Sequence, residues 1–291
     1  MSAIAFTNAD ALLRAGNTNC AGCGMSIGLQ WLDDALATNR PYLVIPAACA
    51  IVTAGAFPTS SYGVPTLAST FASAAAYATG VSVVASLNGE SHPTVCWAGD
   101  GGTYDIGMAT LSAAAERNED ILYICYDNEI YGNTGGQRSS ATPEGAVTST
   151  TPEGKPERKK DMMAIMAAHR IPYAATLSIA HRDDFLRKLV LARDTRGFRF
   201  LVMLSPCPTG WKSSPDESVD LIDDAVRCGL FPLYEVFDGE RYRINARPDG
   251  TDVSEYLNRQ RRYSNTDVDT VKARIAAQWR FLDAMAERFP V

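Results

Sequence analysis

Histidine is scarce: the chain has three, His92, His169 and His181, and none stands beside a motif. Each reads as a surface or capping residue, not as a general base. Long apolar runs are missing as well. No stretch approaches the roughly eighteen apolar residues that a membrane-spanning helix needs. The most apolar long piece, Leu67 to Leu87, is so rich in Ala, Ser and Thr that it reads as a packed helix. Positive charge is in deficit, with 27 Lys and Arg against 33 Asp and Glu, a net charge of −6. That balance argues against nucleic acid as the main partner. The start, MSAIAFTNADALLRAG, has neither a basic head nor a continuous apolar core, so no signal peptide is expected. No internal repeat is visible. These absences leave a cytoplasmic chain with no membrane to bind.

What is present is enough to build a core: 46% of the 291 residues are hydrophobic, which suits one large domain or one domain with an appendage. Apolar runs alternate with helical stretches. A helix is expected over 25–37, a strand at 42–46, a loop at 53–66, a long helix over 67–87 and a strand at 94–98. A helix over 103–117, a strand at 121–126, a helix over 161–169, a strand at 171–176, a charged surface helix over 183–193 and a strand at 198–204 follow. Strands alternating with helices predict an α/β fold with a mainly parallel sheet flanked by helices. From Pro215 the pattern changes to an acidic helix (218–228), a short strand (234–237), a charged stretch NRQRRYSNTD and an amphipathic helix (268–288). Residues 1–215 therefore read as the main domain and 216–291 as a C-terminal arm packing on it or on partner subunits.

The centre of the chain is Thr94 to Gln137. One buried strand stops at Gly99-Asp100-Gly101-Gly102, and a second stops at Asp127-Asn128. Polar groups at the carboxyl ends of neighbouring parallel strands are where open α/β sheets bind ligands. Glycines allow close approach to the backbone, and amides opening the following helix, from Thr103, suit a phosphate. Asp100 and Asn128 offer hard oxygens to a magnesium ion bridging to phosphates. A lone GDG is only a turn. Asn128, 27 residues beyond Gly101 at the end of the next strand, makes the pair resemble a thiamine diphosphate fingerprint.

Seven cysteines in such a chain point to ligands or core thiols before disulfides. Cys20 and Cys23 form a CxxC turn, while Cys49 and Cys207 each follow an expected strand, the latter within Pro-Cys-Pro. Four thiols so disposed could hold an iron–sulfur cluster. Zinc sites made of four cysteines usually show two CxxC pairs, and the second pair is missing here; the spacing alone leaves both open. Cys96 and Cys125 lie in apolar strands as core thiols, and Cys228 ends a helix. Beyond the metal turn, Tyr131 to Arg138 (YGNTGGQR) is a glycine-rich polar loop placed to contact cofactor or substrate. The segment 138–160 is long enough to be functional or covered by a partner. Its KPERKKD run reads as a solvated or subunit-facing loop.

With these residues in hand, the chain resembles the β subunits of 2-oxoacid:ferredoxin oxidoreductases, of the pyruvate synthase or phenylglyoxylate dehydrogenase type. The resemblance rests on CAGCG (20–24), the Cys49 turn, GDGGTYDIG (99–107), YICYDNEIYGNTGGQRSSATP (123–143), KKDM…AAHRIPY (159–173) and PCPTGW (206–211). It implies a thiamine diphosphate-binding fold, with Gly99, Asp100, Gly101, Gly102, Thr103, Asn128, Ile130, Tyr131, Asn133, Thr134 and Cys49 around the cofactor. Magnesium ligands would be Asp100, Asn128 and the Ile130 carbonyl, and Asn133 would stand beside the reactive thiazolium. A 4Fe-4S cluster would be held by Cys20, Cys23, Cys49 and Cys207. The implied reaction is oxidative decarboxylation of a 2-oxo acid, with coenzyme A as co-substrate, to acyl-CoA and CO2. Electrons would pass from thiamine diphosphate to the cluster, then to ferredoxin or NAD.

The family draws the glutamate on the aminopyrimidine from a partner α subunit, so this chain would hold half of a site. A γ-type subunit and a ferredoxin-like 4Fe-4S subunit are the other implied partners. Around Cys49 the sequence departs from the pyruvate type: Ala48-Cys49-Ala50-Ile51 replaces a Gly-Cys followed by Glu and a Tyr-rich loop. The small apolar residues point to a bulkier or aromatic 2-oxo acid, with pyruvate the other choice. Two other readings stand beside this one. One is a non-redox thiamine diphosphate decarboxylase or synthase subunit, which would have no use for the four cysteines. The other is a zinc-stabilised non-catalytic subunit in which GDGG is vestigial.

Overall fold

Six short strands lie side by side in parallel. They are β1 (Tyr42–Pro46), β2 (Thr66–Ser69), β3 (Thr94–Gly99), β4 (Leu122–Asp127), β5 (Tyr173–Ser178) and β6 (Arg199–Leu204). Two antiparallel strands, β7 (Tyr234–Phe237) and β8 (Arg241–Ile244), extend the same sheet, whose order is β2-β1-β3-β4-β6-β5-β7-β8. This computed structural model describes residues 11–37, 39–56, 58 and 60–290. The sequence suggests one turn of helix around Ala9 to Arg14; that stretch lies partly outside the described residues, and within them Leu13 forms a bridge with Tyr62.

Helices cover both faces. They are α1 (Gly24–Leu36), α2 (Cys49–Thr53), α3 (Ala74–Leu87), α4 (Met108–Glu116), α5 (Met162–Ala168), α6 (Arg182–Asp194), α7 (Pro208–Trp211), α8 (Ser218–Arg227), α9 (Val253–Asn258) and α10 (Val268–Arg288). A parallel sheet buried on both sides needs strands apolar throughout, and β3, β4, β5 and β6 are buried along their whole length. Their residues alternate between two cores. Val95, Trp97, Leu122, Ile124 and Tyr126 join α1 and α6 on one face; Cys96, Ala98, Tyr123 and Cys125 join α3 and α4 on the other. Cys96 and Cys125 are core thiols, as their strands required. Among the described residues no helix is long and apolar enough to cross a membrane.

Several expected elements are corrected. Residues 67–69 belong to an edge strand, because Thr66–Ser69 pairs in register with Leu43–Pro46; the helix begins only at Ala74. The helix expected from 103 is interrupted. Residues Gly101–Ile106 form a wide π-helical turn, and α4 starts after Gly107. A side chain at Gly107 would meet the Gly102 carbonyl at 2.0 Å, so the turn can close only on glycine. Strand β5 runs to Ser178, its polar Thr176 being satisfied by donation to the Pro232 carbonyl at 2.8 Å. Helix α6 is not merely superficial: Phe185, Lys188, Leu189 and Ala192 are buried. Residues 216–290 pack directly on the rest, with β7 and β8 lengthening the sheet. Within the stretch expected to be a charged tail, Gln260 and Arg262 are buried.

Candidate functional site

Strand order makes the site. Strands β1, β3, β4 and β6 are consecutive neighbours. Cys49, Asp100, Asn128 and Cys207 therefore follow the carboxyl ends of four adjacent strands, the edge where such sheets bind ligands. Registers Gly99↔Tyr126 and Asp127↔Leu204 bring these ends level. The CxxC turn is carried in from a distance by its glycines. A side chain at Gly22 would meet the Pro215 carbonyl at 2.4 Å, and one at Gly24 the Pro206 ring at 2.6 Å. Only a glycine backbone can lie so close against the loop that bears Cys207.

The thiols of Cys20, Cys23, Cys49 and Cys207 consequently lie near enough to act on one another electrostatically. Burial first, opposed by the Met25 amide, then the three neighbouring thiols push Cys23 up to about 12. Burial, then Cys207 and Asp100, push Cys49 up to about 11, and burial raises Cys207. Main-chain amides of Met25, Asn133 and Gly210 bond to Cys23, Cys49 and Cys207 respectively. Cys20 is exposed. Among the described residues no three Cys, His, Asp or Glu side chains converge closely enough to hold a single metal ion. Cys228 is apart from the group, its thiol donating to the Ala225 carbonyl at 3.6 Å.

Asp100 is buried, 1% exposed, and its carboxylate accepts a hydrogen bond from the Ser139 hydroxyl. Burial, then the Asp127 carboxylate beside it, push its pKa well above the ordinary carboxylate range. Asp127 and Glu129 each have a cationic partner, whereas Asp100 has none within ion-pair distance among the described residues. A buried carboxylate left without a cation of the protein's own fits a divalent metal. The Asn128 side-chain oxygen accepts from the Ile130 amide at 3.3 Å, and the Ile130 carbonyl accepts from the Gly132 amide at 2.9 Å. Each of these oxygens keeps a second lone pair for a ligand.

The remaining sequence-derived residues divide. A side chain at Gly101 would lie 2.1 Å from the Tyr131 ring, whose hydroxyl donates to Asp105 at 2.7 Å. At that glycine, then, it is Tyr131 that makes the close approach. Gly99 lies against Tyr126 and Gly102 against Phe71. The Thr103 hydroxyl is spent on the Gly99 carbonyl, 2.7 Å away. Asn133 and Thr134 are exposed, and Thr134 pairs with Gln137 at 2.7 Å.

Sequence reasoning missed the supports of the metal turn. The KPERKKD run is solvated only in part: Pro156, Glu157, Arg158 and Asp161 are exposed, but Lys155 is buried and Lys159 is half-buried. Lys159 bridges Asp127 at 2.6 Å and Glu129 at 2.7 Å, and buried Lys155 donates to the Thr142 carbonyl at 2.7 Å. Arg262 reaches the other Glu129 oxygen at 2.7 Å and stacks 3.9 Å over the Trp211 ring. Trp211 in turn donates to the Asn128 carbonyl at 2.8 Å. The Tyr104 hydroxyl donates to Asp127 at 2.8 Å. Burial raises Glu129, but Lys159 and Arg262 outweigh it and hold the carboxyl below its usual range. Tyr126 ties the two halves of the site together, its hydroxyl accepting from the Ala50 amide at 3.1 Å.

Comparisons with known proteins agree with this geometry. Residues 48–203 match the family "Thiamine pyrophosphate enzyme, C-terminal TPP binding domain". The chain is 39% identical to ketoisovalerate oxidoreductase subunit VorB of Pyrococcus furiosus, over 94% of this chain and 93% of that protein. It is 42% identical to pyruvate synthase subunit PorB of Methanothermobacter marburgensis, over 86% of this chain and 89% of that one. In fold it is similar to a 2-oxoglutarate:ferredoxin oxidoreductase from Magnetococcus marinus solved with 2-oxoglutarate, coenzyme A and succinyl-CoA. That match has a TM-score of 0.63 at 20% identity and covers 94% of this chain and 97% of the other.

Proposed function

The chain belongs to the β subunits of the 2-oxoacid oxidoreductases and carries their thiamine pyrophosphate-binding domain, and from that premise we propose how its own residues serve the reaction. Asp100, Asn128 and the Ile130 carbonyl hold Mg2+ and, through it, the diphosphate of thiamine diphosphate. Cys20, Cys23, Cys49 and Cys207 hold a 4Fe-4S cluster. When bound, thiamine diphosphate supplies the electron sink for decarboxylating a 2-oxo acid, and the cluster takes up the electrons released.

The single observation that carries this reading is the adjacency of Cys49, Asp100, Asn128 and Cys207 beyond the ends of four neighbouring strands, with Cys207 and Asp100 both acting electrostatically on Cys49. One CxxC pair joined by two single cysteines from separate strand ends favours a cluster over zinc, whose four-cysteine sites usually carry two such pairs. Asp127 and Glu129 are spent on Lys159, Tyr104 and Arg262, which leaves Asp100 as the carboxylate for the metal.

The subunit works with partners. The two buried glutamates among the described residues, Glu129 and Glu235, are both ion-paired, so neither is available to the aminopyrimidine. We assign that glutamate to an α-type subunit, and further electron transfer to γ-type and ferredoxin-like 4Fe-4S subunits feeding ferredoxin or NAD. Coenzyme A is the acyl acceptor in this reading, the cytoplasm its compartment, and a 2-oxo acid with a bulky apolar side chain its substrate. Pyruvate, 2-oxoisovalerate and phenylglyoxylate are the acids to compare. Anaerobic purification of the assembled complex with iron, zinc and thiamine assays tests the cofactors: brown, iron-bearing and zinc-free material is expected, and a colourless zinc protein would overturn the proposal.

A further inference from the structure

Asn128 and Ile130 flank Glu129, the one residue of the metal turn that supplies no ligand. Glu129 is nevertheless the most heavily constrained of the three. It is buried, 3% exposed, and sits in the left-handed region at φ 63, a conformation an ordinary side chain holds only when its surroundings impose it. The surroundings are two cations from distant parts of the chain. Lys159, from the long loop after the site, takes one carboxylate oxygen at 2.7 Å; Arg262, from the C-terminal region, takes the other at 2.7 Å. Lys159 also holds Asp127 on the far side of Asn128, at 2.6 Å. Thr142 donates to the Glu129 carbonyl at 2.6 Å, and Trp211, under the Arg262 guanidinium, takes the Asn128 carbonyl. The turn is thus gripped by side chains that bond neither the Asn128 side-chain oxygen nor the Ile130 carbonyl.

We propose that Lys159 and Arg262 are positioning residues that act through Asp127 and Glu129 to preset the Asn128–Ile130 turn for magnesium diphosphate. The proposal rests on the reading of that turn as the metal site. It also gives the C-terminal region a part in cofactor binding, since the brace is incomplete without residue 262. Outer-shell partners of metal ligands act by fixing ligand orientation, and their loss weakens metal affinity by about 10- to 100-fold.

The experiment uses the assembled complex carrying the wild-type chain, Glu129→Gln, Lys159→Gln or Arg262→Lys. Half-saturating Mg2+ for thiamine diphosphate binding is followed by tryptophan fluorescence, beside iron content, cluster EPR and kcat at saturating cofactor. In Glu129→Gln the half-saturating Mg2+ should rise about 10- to 100-fold, with a smaller rise in Lys159→Gln and partial retention in Arg262→Lys, which keeps the charge. Iron content and EPR should stay at wild-type values, and kcat should fall less than affinity. A brace that is only structural would lower the melting temperature and leave half-saturating Mg2+ unchanged, and that outcome overturns the inference. Should Glu129→Gln not accumulate, Arg262→Lys and Lys159→Gln decide it by the same measurement. A wild-type complex that binds no thiamine diphosphate at any Mg2+ concentration would instead sink the reading of the site itself.

Discussion

Arg262 and Glu129, 133 residues apart in sequence, meet at 2.7 Å with both side chains buried. Removing one partner of such a pair strands the other as an uncompensated charge, whereas removing both is cheap. Arg262→Met should therefore destabilise the chain by about 3–5 kcal/mol. Adding Glu129→Gln should recover part of that loss, because Lys159 keeps its bridge to Asp127. Denaturant unfolding of both single variants and the double checks this; additive losses would show that the pair is not coupled.

Asp100→Ala removes a buried carboxylate of the site that has no ion-pair partner among the described residues. Bound thiamine and magnesium should fall below detection in the purified complex while iron stays at the wild-type level. Chelating magnesium from the wild-type complex should reproduce the same pattern. Loss of iron along with thiamine would mean that the two donor sets do not act separately.

Cys207→Ala should do the reverse, removing cluster iron and leaving diphosphate binding. Cys228→Ala is the control, since that thiol is bonded to Ala225 and stands outside the group of four. A full 4Fe-4S complement in Cys207→Ala would remove it from the ligand set.

Gly101→Ala would place a methyl group 2.1 Å from the Tyr131 ring. Overpacking of this kind costs about 1–3 kcal/mol. Tyr131→Ala should relieve most of that cost, and a double-mutant cycle on unfolding free energies isolates the coupling. Additive effects would contradict the close contact between the two residues.

The sheet was legible where strands are buried on both faces. Runs such as Val95–Ala98 and Phe200–Leu204 are apolar from end to end and stop at Gly99 and Ser205. The edges were not legible. Leu67 and Ala68 are exposed on β2 and read as the start of the next helix, and β8 (Arg241–Ile244), half charged, gave no apolar run. Cys49, Asp100, Asn128 and Cys207 were legible because each follows a strand, and strand ends share one edge of a parallel sheet; Cys20 and Cys23 were legible from their CxxC spacing alone. The supports of the metal turn were not. Lys159 and Arg262 lie in charge-rich stretches that look solvated until the fold brings them to Glu129, and a pairing across 133 residues leaves no trace in local pattern. Similarly, the interruption before α4 depends on Gly107 meeting Gly102, a contact that helix propensity cannot register.

The most direct test of the whole account is EPR of the anaerobically assembled complex before and after a 2-oxo acid is added with coenzyme A. The account predicts a reduced 4Fe-4S signal that requires magnesium and thiamine diphosphate and is absent in both Asp100→Ala and Cys207→Ala. It also predicts a larger signal with 2-oxoisovalerate or phenylglyoxylate than with pyruvate. A fully loaded complex whose cluster stays oxidised with every 2-oxo acid tried would contradict it.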